Sequence, residues 1–98
     1  MKAIVFILLA ALPCSAFAEL EADRNAGVCA AYLTATERNP GVQLALNMAD
    51  NQDRASQFGL NWMNSIKRMK GDRTTMQDAF VKADGACREL GIRPTDYK

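Results

Sequence analysis

After the first eighteen positions, apolar residues recur at three- and four-residue intervals along almost the whole chain, and that spacing predicts helices. Ala22, Ala26, Cys29, Ala30 and Leu33 fall on one helical face, which Val28 and Tyr32 widen. Glu19, Glu21 and Asp23 stand at the start of this segment, where a helix N-terminus favours negative charge. Asn39-Pro40-Gly41 then breaks it, because proline disfavours helical backbone in the residue before it and glycine marks a turn. Val42, Ala45, Leu46 and Ala49 resume the helical spacing, and so do Ala55, Phe58, Trp62, Ile66 and Met69. Between these two stripes lies Asp50-Asn51-Gln52-Asp53, a polar group suited to ending one helix and capping the next. The segment 42–70 is therefore read as two helices rather than one long bent helix.

Gly71 closes that segment behind Lys67, Arg68 and Lys70, cations suited to a helix C-terminus. Thr74-Thr75-Met76-Gln77 predicts the start of a last helix with a capping box, in which Thr74 accepts from the Gln77 N–H and Gln77 returns the contact. Met76, Ala79, Phe80, Ala83, Cys87 and Leu90 form its apolar stripe, and Gly91 and Pro94 end it. The tail from Arg93 is polar and is expected to fray. No strand-like alternation, repeat or low-complexity tract is sustained. The expected fold is all-α, a small bundle of three to four helices.

The opening residues 1–18 follow a different logic. Lys2 precedes an uncharged apolar run from Ala3 to Leu12, and Ala16-Phe17-Ala18 supplies a small-x-small cleavage pattern, the layout of a secretory signal. The run is too short to span a bilayer, which takes roughly 20 residues. Cys14 raises lipid attachment as an alternative, but Pro13 stands where such signals carry a small residue. Residues 19–98 are thus expected to form a single exported domain, periplasmic or secreted, in a Gram-negative bacterium.

Removal of the signal takes Cys14 with it and leaves Cys29 and Cys87. An exported chain with two cysteines is read as carrying one disulfide, here a clasp between the first and last helices. Its chain-entropy contribution is about 4 kcal/mol, large for so short a domain. The full chain has twelve basic and eleven acidic residues, and losing Lys2 leaves eleven of each. Bulk charge therefore points to no nucleic-acid partner.

Chemistry is sparse. With no histidine in the chain, Cys29 lacks the usual base for a nucleophilic thiol, and C-x-x-C-H haem attachment is absent. Zinc would have to recruit carboxylates, and a calcium loop begun at Asp50 puts Arg54, Ala55 and Asn61 at ligand or glycine positions. Met48, Met63, Met69 and Met76 are read as packing residues in preference to a copper site around Trp62. No pair of carboxylates is spaced for acid–base work. No enzyme, metal or cofactor is expected.

What remains is a cluster of cations, Lys67, Arg68, Lys70 and Arg73, relieved only by Asp72, with Trp62 nearby in sequence. Favourable placement at a helix C-terminus is one reading. A docking patch for an acidic protein face, or less directly an anionic membrane surface, is the other. The function that fits is a small non-enzymatic binding protein, accessory to an envelope assembly such as a secretion, conjugation or stress-response system. The alternatives are an inhibitor or immunity protein, or a periplasmic stress chaperone. In layout the chain resembles the small acid-stress chaperones of enteric periplasms: a signal, a short helical domain, and a cysteine in an early helix (Cys29-Ala30-Ala31-Tyr32-Leu33) paired with one in a late helix (Cys87). That resemblance covers no specific motif and carries no residue roles across.

Overall fold

The computed structural model describes residues 20–69 and 71–97. Residues 1–18, read above as a secretory signal, and Lys70 lie outside the described residues. Four α-helices follow in order: α1 (20–35), α2 (Val42–Asn47), α3 (Gln52–Arg68) and α4 (Arg73–Glu89). Short 3-10 turns occupy Asn39–Gly41 and Pro94–Asp96. Among the described residues there is no strand, so the chain is an all-α bundle, and the polar group 50–53 separates two helices as its sequence predicts.

The order of contacts fixes the topology. Asp23 meets residues 50, 51 and 54, Gly27 meets Ala55 and Gly59, and Tyr32 meets Trp62. Numbers rise together, so α1 and α3 run in the same direction, and the short α2 carries the chain back between them. Trp62 also meets Phe80, which folds α4 back along α3 as an antiparallel hairpin. The Cys29–Cys87 disulfide, with its Cα atoms 4.9 Å apart, ties α1 to the end of α4.

The core is built from small residues. Cys29, Ala30 and Leu33 of α1 pack with Ala45 of α2, Cys87 of α4 and Ile92 beyond it. At the α1–α3 crossing the two backbones touch: a Cβ built on Gly27 would overlap the Ala55 carbonyl oxygen, and one on Gly59 would lie 2.7 Å from the Gly27 oxygen. Ala26 and Ala30 are small residues of the α1 apolar face. Both are buried, but the contact that only glycine permits is one residue along, at Gly27.

The helix ends refine the sequence reading. At the end of α1 the chain turns before Asn39: Arg38 N–H donates to the Leu33 carbonyl (2.7 Å) and Glu37 N–H to that of Thr34 (3.1 Å), with Glu37 left-handed at φ 60°. This is the Schellman arrangement with glutamate where glycine is usual. Glu37→Gly relieves the side-chain penalty of that backbone and is expected to raise stability by about 1 kcal/mol, read as a higher urea midpoint at unchanged slope. At the end of α4 Gly91, φ 80°, fills the same position with the same two bonds, Ile92 N–H to Cys87 and Gly91 N–H to Arg88.

Two expectations are corrected. The cap of α4 is Asp72, not Thr74: its carboxylate accepts from Thr75 N–H (3.2 Å) and from the Thr75 hydroxyl (2.7 Å), so the helix begins at Arg73. A carboxylate accepts at an N-cap more strongly than a hydroxyl, and Thr75 is placed to return a donor. The tail does not fray either. Ile92 is 5 % exposed, Pro94 is buried, and the Tyr97 ring lies against Gly41 and the Leu33 cluster. Ile92 follows the capping glycine, the position from which a Schellman turn sends an apolar side chain back onto its helix.

Candidate functional site

The α3–α4 hairpin brings the sequence-predicted docking residues to one tip. Lys67 and Arg68 occupy the last turn of α3, and Arg73 is the first residue of α4; all three are exposed. Lys67 and Arg68 sit where the carbonyl end of a helix favours cations. Arg73 sits where the amide end of a helix disfavours one. The helix dipole thus accounts for two of these charges and works against the third.

Asp72, the only acid within the cluster, offsets one of its four cations. Its oxygens are turned onto Thr75, and the Thr75 hydroxyl and backbone N–H, with a further contact from the Thr74 N–H, hold its carboxyl below the usual range against a small opposing effect of burial. Among the described residues no carboxylate lies within 4.0 Å of the charged groups of Lys67, Arg68 or Arg73.

Trp62, half-buried on α3, forms the apolar part of the same hairpin. Its ring centroid lies 6.3 Å from that of Tyr32 in an edge-on arrangement and 5.9 Å from Phe80, while Tyr32 and Phe80 are 5.8 Å apart. One aromatic from each long helix closes the triangle, so the indole is held by packing and does not swing. Beside it a hollow of about 320 Å³ opens between α1, α3 and α4. Val28, Trp62, Met69, Ala79 and Ala86 supply its apolar lining, and Arg24 and Lys82 its only charges. Met69 follows Arg68 directly, so the hollow adjoins the basic tip.

Sequence reasoning found Trp62 and the basic cluster but missed Arg24 and Lys82. Arg24 lies off the apolar stripe of α1 and Lys82 off that of α4, and only the packing of the two helices brings them to one opening. The disulfide residues Cys29 and Cys87 are fully buried and belong to the scaffold. Sequence reasoning also missed Asp23, a buried carboxylate that accepts from the N–H groups of Asp50 (2.8 Å) and Asn51 (3.0 Å) and from Arg54 Nε (2.6 Å). Its signal was its register: Asp23 stands three residues before Ala26 on the buried face.

Among the described residues no three His, Cys, Asp or Glu side chains converge as metal ligands do, and no helix is long and apolar enough to cross a membrane. Comparison with protein families, curated proteins and solved structures finds no match.

Proposed function

We propose that the chain is a small exported, non-catalytic binding protein, an accessory to an envelope assembly such as a secretion, conjugation or stress-response system, that docks an acidic face of another envelope or secreted protein. The observation that carries this reading is Arg73. A cation at the first position of α4 opposes the helix dipole, and among the described residues no carboxylate forms an ion pair with it. The helix gives this charge no structural role, and contact with an acidic partner is the reading that uses it. Around it stand Lys67 and Arg68, with Trp62 and Met69 adjoining, and tryptophan and arginine are the side chains that most often dominate binding energy at protein interfaces.

The test separates stability from docking. Arg73→Glu is expected to stabilise the fold by about 0.5 kcal/mol, because a favourable dipole interaction replaces an unfavourable one. The same change is expected to weaken capture of the periplasmic partner by the tagged mature chain. Wild-type capture is expected to fall as salt rises from about 50 to about 300 mM, which shortens the Debye length about 2.4-fold, and combining Lys67→Glu, Arg68→Glu and Arg73→Glu is expected to abolish it. Capture that is indifferent both to salt and to the triple substitution overturns the reading.

A further inference from the structure

The hollow between α1, α3 and α4 has a composition the basic tip does not explain. Its lining is mostly apolar, with Asn25 its one uncharged polar side chain, and the exposed Arg24 and Lys82 carry its charges. No carboxylate lines it. Arg24 is held in place from two sides: its guanidinium lies 5.5 Å from the Phe58 ring centroid, and Nη1 is 3.6 Å from Glu21 Oε1. Lys82 has no carboxylate within 4.0 Å among the described residues. An apolar recess with one anchored and one uncommitted cation at its mouth is complementary to a molecule with an apolar body and a single anionic end. At about 320 Å³ it lies at the small end of ligand sites.

We infer that this hollow binds a free medium-chain fatty acid, its alkyl chain lying against Trp62, Met69 and Val28 and its carboxylate between Lys82 and Arg24. Two small residues of α4, Ala79 and Ala86, leave the room. The fixed aromatic triangle beside them keeps the recess from collapsing, because Trp62 is braced by Tyr32 and Phe80. The hollow shares Trp62 and Met69 with the proposed docking surface, but Lys82, Arg24 and Ala79, the residues its test turns on, lie outside the basic cluster.

Trp62 is the only tryptophan in the chain and lines the hollow, so its fluorescence reports occupancy directly. Octanoate added to the oxidised mature chain below its micelle-forming concentration is expected to shift that emission saturably, with a dissociation constant on the order of 0.1 mM for a ligand of this size. Lys82→Glu, an exposed change, is expected to weaken it about tenfold. Ala79→Leu fills the recess and is expected to abolish it, with an unchanged or higher melting temperature showing that the fold is intact. Octylamine and octanol serve as probes of the same length without the anion, and neither is expected to match octanoate. Equal binding of octylamine, an unaffected Lys82→Glu variant, or the lack of a saturable response in the wild-type chain overturns the inference. Because partner capture is measured separately on the Lys67, Arg68 and Arg73 variants, failure here leaves the docking reading untouched, and failure there leaves this one untouched.

Discussion

Replacing both Cys29 and Cys87 with alanine is expected to remove about 4 kcal/mol of stability, enough to leave much of the mature chain unfolded at physiological temperature. The cysteines are 58 positions apart, so the bond restrains a loop holding α2, α3 and most of α4 in the unfolded chain. The rest of the core cannot make good the loss. Apart from the half-cystines, the largest fully buried side chains are Leu33 and Asp23, and the other fully buried apolar residues are alanines. Alanine buries little apolar area, and hydrophobic stabilisation scales with that area at about 25 cal/mol per Å². A domain of this length has a total stability of only about 4–12 kcal/mol. Denaturant unfolding of the oxidised wild-type chain against the double variant reads the difference, and the oxidised chain is expected to show no titratable free thiol. Two reactive thiols in protein taken from an oxidising compartment, or a double variant as stable as wild type, would falsify the clasp.

The clasp was legible because cysteine pairing needs only a count and a compartment, and both helices that carry it have regular apolar stripes. The same periodicity located α2, α3 and α4 and the break between α2 and α3. What it missed has a common cause, for periodicity registers only large apolar side chains. Gly27 and Gly59 define the tightest helix contact through the absence of a side chain, so nothing in a stripe marks them. Ile92 and Tyr97 fall after the helix has ended, where no period remains to be read, yet both pack on the core. Asp72 and Thr74 both satisfy cap chemistry, and the choice depends on which backbone N–H groups are free. The basic cluster was legible as charge, but its asymmetry was not, because Arg73 conflicts with the dipole only once α4 is known to start there. Lys82 and Arg24 come from helices far apart in sequence, and no spacing rule joins them.

Asp23 illustrates that blind spot best, and it sets the second large effect. It is 0 % exposed and carries the start of α3 on its oxygens: the N–H groups of Asp50 and Asn51 and the Arg54 guanidinium, itself 41 % exposed, all donate to it. Burial pushes its carboxyl up toward the neutral form. The Asn51 N–H, the Arg54 side chain and the Asp50 N–H together outweigh that push and bring it below the ordinary aspartate range. A folded value below the unfolded one, about 3.9, means that the stabilisation is fully present above about pH 4. It is lost as pH falls through the folded value. Asp23→Asn keeps the shape but removes the charge, and one side of its amide then presents a donor to donors. The expected cost is about 3 kcal/mol at pH 7, a loss of charged hydrogen bonds at a buried site. Because the two proteins differ only at position 23, the gap between their urea midpoints reads the contribution of Asp23. That gap is expected to stay constant from pH 7 to about pH 5, then to narrow as pH falls through the folded value of the wild-type side chain. The absence of a gap at pH 7 would mean that Asp23 acts through its shape alone, which asparagine keeps, and that the charge-assisted contact with Arg54 and the α3 start contributes nothing to holding α1 against α3.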